Sequence, residues 1–357
     1  MSSSFGHTIK ITLFGQSHSE AIGVVIDGLP AGEPVDLALV EAFLARRAPG
    51  QNALSTPRRE KDKPIILSGL VDGHTCGAPL CAIIENKDAR PADYAALSNL
   101  PRPSHADYPA FIKHRGQNDI RGGGHFSARL TAPLCFAGAV CKQLLERRGV
   151  VVGAHILSVG QAFDAPFDPV NVSADELSAI SERRLPVLDE AALPAIEEEI
   201  LAASKELDSV GGTVECCAIG LPVGLGEPMF DGIENRLAAA LFGIPAVRGV
   251  EFGAGFRAAE MRGSAHNDPY CVRDGRVETA TNHHGGVLGG LTTGMPLLLC
   301  AAFKPTPSIP REQRTVDLVL LSEQSLAIRG RHDPCVVVRA VPVVEAVTAA
   351  VLLDFII

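Results

Sequence analysis

The chain has no apolar run approaching the roughly 18–20 residues that a membrane-spanning helix needs. The longest stretches, 294–303 and 347–357, fall short, and Asp354 interrupts the second. Residues 1–10 show no basic region followed by an apolar one, so no secretory signal is read there and a cytoplasmic protein is expected. There are nine cysteines, an odd number, and no Cys-x-x-Cys pair. That counts against both a disulfide framework and a zinc site; free thiols in a reducing compartment are expected, with no metal. Three signatures are also missing: the Gly-x-x-x-x-Gly-Lys-Ser/Thr phosphate loop, a strand-linked Gly-x-Gly-x-x-Gly with a downstream acid, and the Gly-x-Ser-x-Gly elbow. A P-loop enzyme is excluded, and a Rossmann dinucleotide site is unsupported. Positive charge is not in excess either. The net charge of -9 argues against nucleic acid as the partner.

What is present is a chain of 357 residues, 46% hydrophobic and 20% charged, long enough to bury a large core. Its charge is unevenly placed. Residues 161–210 hold twelve acids and three bases, whereas 46–129 hold thirteen Lys and Arg against eight acids. A basic neighbourhood in an acidic protein points to a local anion site.

Residues 7–14 alternate Thr8, Lys10, Thr12 with Ile9, Ile11, Leu13, which predicts a strand with one buried face. A second strand is read at 21–29, ending in Gly28-Leu29-Pro30-Ala31-Gly32. Asp36 then caps a helix with Leu37, Val40, Phe43 and Leu44 on one face, and Arg46 and Arg47 in its last turn. The same order returns later: a strand at 212–219, the turn Gly220-Leu221-Pro222-Val223-Gly224, and a helix at 233–242. Residues 1–357 are therefore read as a single, internally duplicated domain with a pseudo-symmetric core. Further helices are expected at 127–148 and, with an acidic face, at 193–207. A strand is expected at 336–338, before an apolar C-terminal segment that must be buried.

Three histidines sit in polar turns: His18 in Gly15–Ser19, His105 in Arg102–Asp107, and His332 in Gly330–Pro334. Loops held by strand ends commonly carry catalytic groups, and histidine is the natural acid near neutral pH. Arg121-Gly122-Gly123-Gly124 leads toward the helix at 127–148, where backbone N–H groups can approach an anion. Lys304-Pro305-Thr306-Pro307-Ser308 is a second candidate anion loop.

In this order, these motifs resemble the chorismate synthase family from Phe5 to Ile357. The strongest matches are Arg102–Tyr108, Arg121–Gly124, Asp208–Phe230, Ile244–Gly249, Ala302–Ile309 and Gly330–Pro342. The resemblance implies an α+β fold with helices sandwiched between antiparallel β-sheets, and a homotetramer. It implies conversion of 5-enolpyruvylshikimate 3-phosphate to chorismate and phosphate by trans-1,4-elimination with reduced FMN, on the shikimate pathway to aromatic amino acids. His18, His105 and Asp333 match the catalytic residues. Arg47, Arg102, Arg129 and Arg331 match the residues that grip the small-molecule substrate's anions. His125 lies at a flavin position, and Ser127, Pro245, Ala246, Gly289, Lys304, Pro305, Thr306, Pro307, Ser308 and Arg331 match the flavin contacts. The chain departs from the family pattern at Gln16, Ser19, Ala48, Ala53, His125 and Phe126. These changes count against NADPH-dependent reduction of the flavin, and leave His18, His105, Arg129 and Asp333 in place. Two other readings stay open at this point. One is a flavin-independent phosphate-ester hydrolase using His105 and Asp333; the other is a divergent relative that binds the ligand without turnover.

Overall fold

The computed structural model describes residues 3–50, 60, 62–87, 99–328 and 332–357. In the N-terminal part, β1 (Ser4–Phe5), β2 (Lys10–Gly15) and β3 (Ala21–Asp27) form a meander, with Lys10 paired to Asp27 and Gly15 to Ile22. The two-residue period shows in the burial: Ile9, Ile11, Ile22, Val24 and Ile26 are almost wholly inaccessible. Helix α1 (Leu37–Arg47) follows, and Asp36 caps it by accepting from the N–H groups of Ala38 and Leu39. Strands β4 (Ile65–Ser68) and β5 (Leu80–Glu85) complete an antiparallel sheet of order β1-β2-β3-β5-β4. Next come α2 (Asp107–Lys113) and the long, almost fully buried α3 (Thr131–Glu146).

The second sheet is built from β6 (Val151–Val159), β7 (Ala162–Phe163), β8 (Gly212–Ile219), β9 (Val247–Phe252) and β10 (Leu297–Phe303), in the order β9-β10-β8-β6-β7 and again antiparallel. Between β7 and β8 lie α4 (Ala174–Ser181) and α5 (Leu193–Lys205), and between β8 and β9 lies α6 (Ile233–Leu241). The chain ends in α7 (Val337–Ile356). Helices α1, α3, α6 and α7 pack against one another between the sheets, and one apolar cluster contains residues of all four and of both sheets. Helices α4 and α5 pack against the second sheet. The acidic stretch found in the sequence thus sits on the periphery.

The two sheets repeat one another closely. The strand order β2-β3-β5-β4 is matched by β6-β8-β10-β9. Both Gly-Leu-Pro turns start on a left-handed glycine, Gly28 or Gly220, whose Cβ would strike the carbonyl of Thr8 or Gly149. Each turn is then clamped by one threonine from a short hairpin. Thr75 Oγ1 donates to Pro30 O and accepts from Glu33 N; Thr292 Oγ1 donates to Pro222 O and accepts from Leu225 N.

The strand expected at 336–338 is instead the entry to α7. Its valines favour strands locally, but they open a helix of twenty residues that is buried nearly all round, and that packing overrides the local preference. Pro342 sits in its second turn, where it lacks the N–H of an intrahelical bond. Acids within this apolar helix are paired. Glu345 takes Arg46 and Lys142 within the helical layer, while Asp354 accepts from the N–H groups of His7, Thr8 and Ile9 and pairs with Arg236. Among the described residues no helix is long and apolar enough to cross a membrane, and all nine cysteines are free thiols.

Candidate active site

The loop after β2 carries Ser17 and His18, and the N–H of Ser17 donates to Gly124 O at 3.1 Å. Gly122, Gly123 and Gly124 all have left-handed φ values, 58°, 84° and 54°. Space as well as conformation demands glycine here. A Cβ on Gly122 would lie 2.5 Å from His18 Cε1, and one on Gly123 would lie 3.1 Å from His105 Nε2. The triple glycine is thus a thin backbone wall with one histidine on each side. It enters the following helix through the single 3₁₀ turn Ala128–Leu130, whose N-cap Ser127 accepts from the Arg129 N–H.

His105 is held from behind. Its Nδ1 lies 2.6 Å from Asp107 Oδ1, the geometry of an Nδ1–H donating to a carboxylate, and Nε2 then faces Gly123 with its lone pair. Asp107 is also gripped by Arg102, from Nε at 2.7 Å and Nη2 at 2.8 Å. Burial favours the neutral form of His105. Asp107 works the other way, but the charges of Arg102 and Lys304 oppose it, and the pKa falls below the usual value. Burial would raise the Asp107 pKa, yet the bonds from Arg102 and His105 outweigh it and hold the carboxyl well below its usual range.

The Lys304–Ser308 loop closes over this group. Lys304 Nζ donates to the Ser104 carbonyl, Arg102 Nη1 donates to Ser308 Oγ at 3.2 Å, and Lys304 N donates to Ala246 O at 3.0 Å. Pro245 and Ala246 therefore adjoin the site, and Ala246 has a left-handed φ of 75°. Thr306 Oγ1 is buried with no hydrogen-bond partner among the described residues, as is Asn118 Oδ1. A buried hydroxyl without a partner is what a polar ligand in this loop would satisfy.

The remaining arginines form a second layer. Arg47 donates from Nε to Thr131 Oγ1, from Nη1 to Asp62 Oδ2 and from Nη2 to Ala128 O. Arg129 pairs with Asp62, with Glu60 at 2.7 Å, and through Nε with Asn86 Oδ1 at 3.0 Å. Burial, with Arg339 and Arg129 nearby, lowers the Arg47 pKa to about 10 despite Asp62. Asn86 ties this layer to the first histidine, because its Nδ2 donates to the carbonyls of Gln16 and Ser19.

The structure therefore joins His18, His105, Arg102, Arg129, Arg47, Ser127, Pro245, Ala246 and residues 304–308 in one connected network. Gly289 lies at the turn of a separate two-stranded hairpin, where an added Cβ would meet nothing within 4 Å. His125 turns outward and uses both ring nitrogens, on Gly15 O and Ser3 Oγ. Asp333 pairs with Arg339 at 2.6 Å. Arg331, Ala53, Arg58 and Arg59 lie outside the described residues. Sequence reasoning passed over Glu60, Asp62, Asn86, Arg339 and the role of Asp107. Only Asp107 had a local signal, an acid two residues after a loop histidine.

The family model described as chorismate synthase matches residues 9–357. Among curated proteins, the chorismate synthase of Thermococcus gammatolerans is 52% identical over 98% of this chain and 96% of its own length. That of Korarchaeum cryptofilum is 47% identical over 99% of this chain and 96% of its own. A solved structure titled as the crystal structure of chorismate synthase superposes with a TM-score of 0.77 at 27% identity, covering 98% of this chain and 92% of that one.

Proposed function

The chain belongs to the chorismate synthase family of lyases in the shikimate pathway, and we propose that the group of residues around the triple glycine is where its reaction occurs. There 5-enolpyruvylshikimate 3-phosphate loses phosphate by trans-1,4-elimination to give chorismate. The observation that carries this placement is the glycine wall with His18 on one side and His105 on the other.

In this reading His18 is the acid that protonates the departing phosphate. His105, kept neutral at pH 7 by its surroundings, presents the Nε2 lone pair to the cofactor side. Asp107 and Arg102 fix its ring. Asp333 assists removal of the ring proton. Arg47, Arg102, Arg129 and Arg331 supply the positive charge that a phosphate and two carboxylates require. The donors of Arg47, Arg102 and Arg129 are engaged by Asp62, Asp107, Glu60 and neighbouring groups, so substrate must share or displace those partners.

Reduced FMN, when bound, supplies the electron density that supports the poor transition state of a 1,4-elimination. Ser127, Pro245, Ala246, Gly289 and Lys304 to Ser308 would hold it, together with Arg331. The buried Thr306 hydroxyl and the partly buried Lys304 ammonium fit a polar, anionic cofactor. The apolar cluster common to both sheets supports reading residues 1–357 as one duplicated domain. A cytoplasmic homotetramer, as the resemblance implies, belongs to this reading; the exposed side chains of Met229, Phe230 and Phe256 are apolar surface that a subunit contact would cover.

The test is anaerobic incubation with substrate and photoreduced FMN, followed by assay of chorismate and phosphate. Chorismate should form with reduced flavin and not with oxidised flavin. Phosphate released without chorismate would instead identify a phosphate-ester hydrolase, and neither product would identify a binder.

A further inference from the structure

Arg339 is the third residue of α7, and its guanidinium reaches two places that are far apart in sequence. Nε donates to the carbonyl of Arg47 at 2.9 Å, and Nη1 to Asp333 Oδ2 at 2.6 Å. Arg47 is the last residue of α1, so its carbonyl is one of the four that a helix end leaves without an intrahelical partner. A cation there is favoured by the helix dipole as well as by the hydrogen bond. The ion pair with Asp333 is sheltered: the two side chains are 17% and 14% exposed. A pair of this kind orders its members more firmly than a surface pair does.

We propose that Arg339 is a positioning residue for Asp333, fixing its carboxylate against the end of α1. The inference rests on the reading that Asp333 assists proton removal. Asp333 lies outside helix and strand, before α7 begins, and without the guanidinium its carboxylate has other cations to choose from. Among the described residues Arg47 is one of them, since Arg339 is close enough for its charge to be felt at the Arg47 guanidinium. Drawn there, it would leave the reacting centre and neutralise a substrate-binding arginine. Arg339 prevents this by holding the carboxylate and the α1 terminus on one planar group. No local pattern announces this role, because Arg339 and Arg47 are 292 positions apart.

The experiment is a double-mutant cycle on the full-length chain, with reduced FMN and substrate, reading kcat and KM separately. Arg339→Ala should lower kcat by about 10- to 100-fold, the scale of a misplaced catalytic group, and leave KM within about threefold. Arg339→Lys should recover part of the loss. Asp333→Ala combined with Arg339→Ala should be no slower than Asp333→Ala alone. Arg339→Gln can keep a donor for the Arg47 carbonyl but loses the charge and the Nη1 bond to Asp333, so it should fold as wild type does and still lose kcat; melting curves check this. Losses that multiply in the double variant, or a wild-type kcat for Arg339→Gln, would overturn the proposal. An Asp333→Ala variant with wild-type kcat would instead overturn the reading of Asp333 on which it rests.

Discussion

His105, partly buried, and His155, fully buried, each lie beside an aspartate, at 2.6 and 2.9 Å, yet their surroundings drive them in opposite directions. His155 lies in β6, between Asp164 on Nδ1 and Glu215 on Nε2. Burial opposes its charge, but hydrogen bonds to two carboxylates outweigh burial and its pKa rises above the usual value. At His105 burial acts with Arg102 and Lys304, and the single carboxylate of Asp107 is shared with Arg102; the pKa falls. A nearby acid therefore does not decide a histidine's charge. What decides it is the balance of burial, the number of carboxylates on the ring and the cations that share them. His155 is biased toward its charged form, whereas His105 is biased toward its neutral form, with one nitrogen turned to the glycine loop.

The largest test of this contrast is Asp164→Ala. Besides His155, Asp164 accepts from the N–H groups of Ala165, Leu188 and Asp189, so it ties the segment before α5 to the second sheet. Removing one partner of a buried pair costs about 3–5 kcal/mol. Denaturant unfolding should show a loss of that size, with kcat per folded molecule unchanged. A loss below about 1 kcal/mol, in the range of exposed pairs, would mean that the His155 cluster is not a structural ion site.

His105→Ala should give the reverse pattern. Turnover should fall by about 10²-fold, the lower end of what a positioned acid or base supplies, or roughly 2.7 kcal/mol of barrier. The unfolding midpoint should move little, because the ring is partly exposed. Destabilisation without loss of turnover would reverse the roles given to the two histidines.

Both histidines also leave a mark on stability against pH, with opposite slopes. The raised pKa of His155 gives stability that is fully present below the unfolded value of about 6.5, and is lost as pH rises through the folded pKa. The lowered pKa of His105 means that between its folded pKa and about 6.5 the unfolded chain binds more protons, so its contribution grows with pH. His155→Gln should therefore flatten the decline above about pH 6.5, and His105→Gln the rise below it. Urea midpoints measured from pH 5 to 9 check both. An unchanged decline in His155→Gln would remove the charged state from the account of that cluster.

The sequence carried the strands and turns well, because period-2 alternation and left-handed glycines are local properties. Gly28 and Gly220 announce a turn wherever they stand, and Asp36 announces its helix. His18 and His105 were legible too, each beside a polar neighbour in a loop, whereas His155, inside a strand, was not. What the sequence could not show was pairing at a distance. Asp62 meets Arg129 across 67 positions, and Glu345 meets Arg46 across 299. Arg46 and Arg47 are consecutive, yet one serves the helical core and the other the site, because successive helical residues point about 100° apart. The valines at 336–338 misled for a related reason. Their local preference is for a strand, and only the helices they pack against decide otherwise.

The smallest effect is expected from the pair that repeats this chemistry without burial. Arg121 precedes the triple glycine, and its position first counted toward an anion site. In the structure its Nε and Nη2 donate to Asp119 at 2.8 and 2.9 Å, with the Arg121 side chain 45% exposed. Asp119 is held below its usual pKa mainly by Arg121, and it also feels the charge of His18. Water screens such a pair, so Arg121→Gln should cost no more than about 1 kcal/mol, and less at high salt. The glycine wall should survive, because the backbone of Gly124 remains bonded to Ser17. KM for the substrate should therefore stay within about twofold, a change of roughly 0.4 kcal/mol. A tenfold rise in KM would show that Arg121 turns from Asp119 to the substrate. The dividing line would then fall between pairs that can exchange partners and pairs that cannot, with the exposed Arg121 and the buried Arg47 on the same side of it.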